Sequence, residues 1–201
     1  MKDTKFYTFE DGLKEQGPVA FSTMLKPAGS ACNLDCQYCY YLDKAVQYGG
    51  KQARMSESLL EEYVRQYIEA NAVDTVTFCW HGGEPTLLGV DYYRKAIEFQ
   101  KKYAKGKRIE NTLQTNGTRI NEEWCAFFRK NKFLVGISLD GPKDVHDAFR
   151  IDKGGRPTWD RVMRSVKMLR DNGVEFNTLS TVNRLCEGRG AEIYEFFKSV
   201  G

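Results

Sequence analysis

Short apolar segments alternate along this chain with segments in which apolar residues recur every three or four positions. The predicted strands are 19–26, 75–80, 109–115, 133–139 and 174–182, and the predicted helices are one after Ser56, 92–103, one after Asn121, 159–171 and 191–200. Repeated strand–helix alternation requires a parallel sheet with right-handed crossovers. The sequence therefore predicts an α/β fold with about five βα units, arranged as a partial rather than a closed barrel.

The composition favours one domain and gives little reason to expect a charged macromolecular partner. The chain has 201 residues, 41% of them hydrophobic, and a net charge of +3. Residues 1–17 are predicted to form an irregular arm, and 18–201 a single core domain. No apolar run approaches the length of a membrane span, and the charge is dispersed, so neither a membrane nor a nucleic acid is expected as a partner. A cytoplasmic location is predicted, where thiols stay reduced.

In a parallel α/β fold the loops that follow the strands gather on one face and form the active site. Here these loops contain every unusual motif of the chain. They are predicted at 28–41, 81–86, 114–118, 140–150 and 183–188.

Three cysteines, Cys32, Cys36 and Cys39, lie in the first of these loops. Thiolates are ligands for zinc and for iron–sulfur clusters, but a structural zinc site needs a fourth ligand, and no second Cys or His pair is present in the sequence. A cubane cluster bound by three cysteines keeps one iron open for a substrate. We therefore predict a cluster, with zinc and redox thiol chemistry as alternatives. The other cysteines are single; Cys79 and Cys125 are expected in the core.

The segment His81-Gly82-Gly83-Glu84 follows the second predicted strand. Two glycines let the backbone approach a ligand closely, although a tight turn is the simpler interpretation of the segment alone. His81 is predicted to contact a substrate rather than to act as an acid or base.

Polar residues also stand where the third and fourth predicted strands end. Gln114 and Ser138 occupy these positions, and Arg150 follows in the next loop. An arginine can bind a carboxylate through two parallel hydrogen bonds. A salt bridge from Arg150 to Asp147 or to Asp152 is the alternative to a ligand-binding role.

The cysteine loop resembles the signature of radical S-adenosylmethionine (SAM) enzymes, and the chain as a whole is most similar to the anaerobic sulfatase-maturating enzymes. The matching stretches are 26–34, 39–42, 80–84, 113–117, 123–129, 138–142, 146–150 and 194–201. The resemblance implies a [4Fe–4S] cluster on the three cysteines, with the fourth iron chelated by SAM. One electron from the cluster then cleaves the sulfonium and releases a 5′-deoxyadenosyl radical, which abstracts a hydrogen atom from the substrate.

The resemblance also implies roles for the surrounding residues. The expected cofactor-binding residues are Tyr38, Gly82, Gly83, Glu84, Gln114, Ser138 and Arg150, and the expected substrate contacts are Tyr41 and His81. Members of the family continue into a cysteine-rich SPASM region with two auxiliary clusters and the proposed catalytic aspartate. The catalytic base is therefore expected beyond residue 201, and the core domain is expected to be truncated before strand six.

The implied reaction is the oxidation of a sulfatase Cys or Ser to Cα-formylglycine. The expected partners are a sulfatase or another peptide substrate, and an electron donor such as flavodoxin or ferredoxin. Two alternatives stay open: a radical SAM enzyme that makes thioether or carbon–carbon crosslinks in peptides, and a non-catalytic iron- or zinc-binding module.

Overall fold

A computed structural model describes residues 20–41, 44, 46 and 54–200, so the predicted arm at 1–17 lies outside the described residues. Its centre is one parallel sheet with the strands in sequence order. The strands are β1 (Met24–Leu25), β2 (Thr75–Trp80), β3 (Arg108–Thr115), β4 (Phe133–Ser138) and β5 (Phe176–Leu179). The predicted fold class, a partial barrel of βα units, is confirmed.

Helices connect the strands and cover one face of the sheet. They are α1 (Glu57–Ala70), α2 (Val90–Tyr103), α3 (Glu122–Lys130), α4 (Lys143–Asp147), α5 (Trp159–Asp171) and α6 (Gly190–Val200), with short 3₁₀ helices at Pro85–Leu88 and Arg184–Cys186. α4 and both 3₁₀ helices were not predicted from the sequence. None of the described helices has the length and apolarity needed to cross a membrane.

Ser56 and Asn121 cap the first turns of α1 and α3, where the sequence predicts these helices to begin. Ser56 Oγ accepts from Leu59 N at 3.2 Å, and Asn121 Oδ1 accepts from Trp124 N at 3.0 Å. The apolar residues of α1 that face the core are buried or half-buried, whereas Leu59 is 53% exposed. Leu59 directly precedes the fully buried Leu60, and adjacent helix positions point in different directions, so both cannot face the core.

The strand residues divide between two faces. Val76, Phe78 and Trp80 of β2 are buried toward the helices, where they join the hydrophobic core. Cys79 lies between them in sequence and is half-buried on the opposite face, so its predicted core position is wrong, because strand side chains alternate between faces. Cys125 in α3 is fully buried, as predicted.

Both edge strands are shorter than predicted. After Leu25 the chain leaves β1 in a turn closed by Gly29 N donating to Lys26 O at 2.9 Å. After Leu179 the chain leaves β5, because Thr181 N donates to the Asp140 carboxylate at 2.9 Å. The hydrogen bond that ends β5 joins two loops of the candidate site.

Candidate active site

The loops that follow all five strands border one cavity of about 380 Å³. The residues that line it are Cys32, Leu34, Cys36, Tyr38, Cys39, Tyr40, His81, Gly82, Gly83, Gln114, Thr115, Asn116, Ser138, Arg150, Leu179, Ser180 and Thr181. The cavity therefore brings together the three predicted metal ligands and most of the predicted cofactor-binding residues. Glu84 and Tyr41 are the two predicted site residues that do not line it.

All three predicted cysteine ligands line this cavity. Burial raises the pKa of Cys32, and it raises the pKa of Cys36 to about 11, although the Arg150 charge acts in the opposite direction on Cys36. Among the described residues, no three Cys, His, Asp or Glu side chains are arranged to bind a single metal ion. Three thiolates are a donor set for an iron–sulfur cluster, whereas a structural zinc site needs a fourth protein ligand.

Backbone pairing holds the cysteine loop against the loop that follows β2. Gly83 N donates to Gly29 O at 2.9 Å, and Glu84 N donates to Ala31 O at 2.7 Å. A Cβ atom at Gly83 would come far closer than 3.0 Å to the Ala31 carbonyl, a backbone atom. Glycine is therefore required at 83, because the two backbones approach too closely for any side chain.

The Glu84 carboxylate lies below the wall of the cavity and is fully buried. It accepts from Thr86 N at 2.9 Å, from Thr115 Oγ1 at 2.7 Å and from Asn116 N at 2.8 Å. Burial raises the pKa of Glu84, while these hydrogen bonds oppose that shift. Glu84, predicted as a cofactor-binding residue, thus does not line the cavity; its side chain joins the loops that follow β2 and β3.

Arg150 forms a buried ion pair with Asp140. Arg150 Nε and Nη2 donate to the two Asp140 carboxylate oxygens at 3.0 and 2.9 Å. The predicted alternative partners are wrong. Asp147 instead accepts the backbone N–H groups of Thr158 and Trp159 at the start of α5, and Asp152 pairs with Arg156 and Arg161. The pKa of Arg150 is raised above its usual range, because the hydrogen bonds and charge of Asp140 outweigh the effect of burial.

Asp140 connects further parts of the site. It accepts from the Tyr38 hydroxyl and from Thr181 N, and the Arg150 guanidinium lies 5.4 Å from the centre of the Tyr38 ring. Asp140 is fully buried and fixes the loops that follow β1, β4 and β5. No role for Asp140 was predicted from the sequence; the available signal was an acidic residue directly after the fourth predicted strand, 133–139.

Gln114 and Ser138 lie side by side on the face of the sheet opposite to the core helices. Gln114 Nε2 donates to Ser138 Oγ at 3.0 Å. Gln114 extends across Gly136 of β4, where an added Cβ atom would come well inside 3.0 Å of Gln114 Oε1. Gly136 therefore leaves the space that Gln114 occupies. This role was not predicted from the sequence, where Gly136 is a glycine within an apolar strand.

A family model described as the radical SAM superfamily matches residues 27–186 of the chain. The chain belongs to the radical SAM superfamily. The predicted family and enzyme class are thus confirmed, and at the level of the family so are the predicted cofactors, SAM and a [4Fe–4S] cluster.

Curated relatives and solved structures agree with the predicted resemblance to anaerobic sulfatase-maturating enzymes. The serine-type enzyme of Bacteroides thetaiotaomicron is 45% identical over 178 residues, which are 88% of this chain and 43% of the relative. The cysteine-type enzyme of Clostridium novyi is 42% identical over 181 residues, 89% of this chain and 48% of the relative. A solved structure of native anSMEcpe with bound AdoMet and the Cp18Cys peptide has a TM-score of 0.80 and 38% identity, and the match covers 88% of this chain and 47% of that one. The chain thus spans about half the length of the relatives it matches.

The predicted substrate contacts occupy different environments in this radical SAM fold. His81 lines the cavity, and burial, followed by the Lys26 charge, lowers its pKa. Tyr41 lies outside the cavity, where the Lys26 ammonium is 4.4 Å from the centre of its ring. Tyr40 lines the cavity instead and is exposed. The chain thus offers His81 and Tyr40, rather than Tyr41, to a molecule in the cavity.

Proposed function

We propose that this chain is the cofactor-binding core of a radical SAM enzyme. Cys32, Cys36 and Cys39 hold a [4Fe–4S] cluster, and the remaining cavity wall holds SAM. The observation that supports this proposal is that three thiols and a set of polar side chains from five strand ends line one cavity. When bound, the cluster and SAM together supply a one-electron cleavage of the sulfonium that generates a 5′-deoxyadenosyl radical.

The polar wall suits a small zwitterionic ligand. Gln114 and Ser138 present amide and hydroxyl groups on the inner face of β3 and β4. Arg150 uses Nε and Nη2 for Asp140, so Nη1 remains available to a ligand, with no acceptor among the described residues. Gly82 and Gly83 present backbone groups to the same cavity. The Tyr38 hydroxyl is used by Asp140, so this residue orients Arg150 and offers only its ring to the ligand.

For the whole protein we propose oxidation of a sulfatase Cys or Ser to Cα-formylglycine. The support is the 42–45% identity to serine-type and cysteine-type sulfatase-maturating enzymes, together with a solved neighbour that contains a bound peptide. The partners in this proposal are a sulfatase segment and a low-potential electron donor such as flavodoxin or ferredoxin. In this proposal residues 18–201 form the core domain, and the protein acts in the cytoplasm.

Replacing any one of Cys32, Cys36 or Cys39 with alanine should abolish retention of a full cluster. Cluster irons are held by Cys thiolates, and no other cysteine of the described residues lines the cavity. Iron and sulfide are counted per chain after anaerobic reconstitution. Cys186→Ala is the matched control, because Cys186 lies outside the cavity and accepts from Asn183 N. A cavity variant that keeps as much iron as the wild type contradicts the ligand assignment.

Gly136→Ala should weaken SAM binding by about 2- to 10-fold, the effect of losing one hydrogen bond. The new methyl group displaces the flexible end of Gln114, so iron content and the free energy of unfolding should change little. SAM affinity is measured by equilibrium dialysis on Gly136→Ala, on Gln114→Ala and on the double variant. Because both substitutions act through Gln114, the double variant should bind SAM like Gln114→Ala. Additive losses would contradict this coupling.

A further inference from the structure

The three cysteine sulfurs of the cavity differ in their hydrogen bonds. Cys32 Sγ accepts from Leu34 N at 3.4 Å and from Asn116 Nδ2 at 3.7 Å. Within the described part of the chain, neither Cys36 Sγ nor Cys39 Sγ accepts a hydrogen bond. Only one of the three thiols therefore receives a hydrogen bond from a side chain, and that donor comes from a different strand end.

The orientation of the Asn116 amide is fixed by its neighbours. Asn116 Oδ1 accepts from Thr118 N at 3.0 Å, and a backbone N–H can only donate, so the other end of the amide is the NH₂ group. One hydrogen of this group is used by Asn33 Oδ1 at 3.0 Å, and the other faces Cys32 Sγ. The Asn116 backbone is held by Glu84 Oε2 at 2.8 Å. With an exposure of 8%, Asn116 has little alternative contact with water.

We propose that Asn116 is a positioning residue that donates a hydrogen bond to the Cys32 thiolate and thereby raises the reduction potential of the cluster. This inference rests on the proposed binding of the cluster by the three cysteines. A low-potential one-electron donor adds one negative charge to the cluster, and part of this charge is distributed onto the cysteine sulfurs. An N–H group that points at such a sulfur stabilises the reduced form more than the oxidised form.

The buried Glu84 carboxylate has a structural role in this arrangement. It fixes the backbone at Asn116 and the hydroxyl of Thr115, and so holds the donor at a set place beside the cysteine loop. The backbone N–H of Glu84 also donates to Ala31 O in the cysteine loop. Glu84 therefore links the donor and the acceptor of the N–H···S contact.

The experiment is a redox titration of the reconstituted 201-residue chain, followed by the electron paramagnetic resonance signal of the reduced cluster. Asn116→Ala removes the donor, and the larger Asn116→Leu also removes it; neither substitution adds a charge beside the cluster. Both variants should be about tenfold harder to reduce, which for a one-electron couple is a potential lower by about 59 mV. Iron per chain should stay at the wild-type value. If one variant fails to fold, the other still gives the comparison.

Thr118→Val is the matched control. It removes hydroxyl contacts with Asn33 and Asn116 but leaves Thr118 N and the N–H···S contact in place, so its potential should equal that of the wild type. The inference would be overturned, and the proposed function would stand, if iron-loaded Asn116 variants kept the wild-type potential. The same holds if Thr118→Val shifted the potential as much as the Asn116 variants do. A wild-type chain that binds no iron would instead overturn the proposed function and this inference with it.

Discussion

Arg150→Ala is expected to lower the free energy of unfolding by about 3–5 kcal/mol, the usual cost of removing one partner of a buried ion pair. Asp140 is fully buried, and Arg150 is its only cationic partner in the described residues. Without the guanidinium, the Tyr38 hydroxyl and Thr181 N are the only donors that the described residues offer to the carboxylate. The loops that follow β1, β4 and β5 should then separate, and the cluster should be lost with them.

Chemical unfolding of the variants, followed by circular dichroism, measures this effect. Lys143→Ala is the control, because the Lys143–Asp160 pair is exposed and contributes about 0–1 kcal/mol. Replacing Asp140 with asparagine in the Arg150→Ala background removes the unpaired charge and should recover part of the loss. An Arg150→Ala chain within about 1 kcal/mol of the wild type would show that the pair is not a structural element of the site. Arg150→Lys, which keeps the charge, is the variant suited to measuring SAM affinity.

Gly83→Ala is expected to lose most of the bound iron. The added methyl group would overlap the Ala31 carbonyl, and backbone atoms on both sides must move to relieve that overlap. Overpacking of this kind costs about 1–3 kcal/mol, so the domain should still fold while the cysteine loop is displaced. The three thiols would then no longer surround one cavity.

The control for this prediction is Gly190→Ala at the start of α6, where an added Cβ atom meets no other atom within 4 Å. Iron per chain and far-ultraviolet circular dichroism are measured on both variants. The expected result is a folded Gly83→Ala chain with little iron, beside a Gly190→Ala chain that matches the wild type. A Gly83→Ala chain with its full complement of iron would contradict the role assigned to the close backbone approach.

The order of the strands and helices follows from the sequence, because hydrophobic periodicity and capping residues are local signals. Ser56 and Asn121 begin helices as predicted, and α5 has its predicted bounds, 159–171. The ends of β1 and β5 do not follow from local signals. Those ends depend on hydrogen bonds, such as the one from Thr181 N to Asp140, that join residues far apart in sequence.

The site likewise has features that follow from the sequence and features that depend on contacts between distant residues. The convergence of the three cysteines with Gln114, Ser138 and Arg150 follows from parallel topology, which brings all strand ends to one edge. Side-chain partners do not follow from topology. Glu84 was expected to bind the cofactor and is buried below the wall, and nothing in the sequence pairs Asn116 with Cys32. Such pairings depend on the packing of loops against one another.

The formation of 5′-deoxyadenosine tests the central claim most directly. The chain is reconstituted anaerobically with iron and sulfide, reduced with dithionite and incubated with SAM, and the nucleoside is quantified by mass spectrometry. Cys36→Ala, treated identically, measures the background. The proposed function predicts 5′-deoxyadenosine from the wild-type chain and none above background from Cys36→Ala. A cluster-loaded wild-type chain that forms no more nucleoside than Cys36→Ala would contradict it.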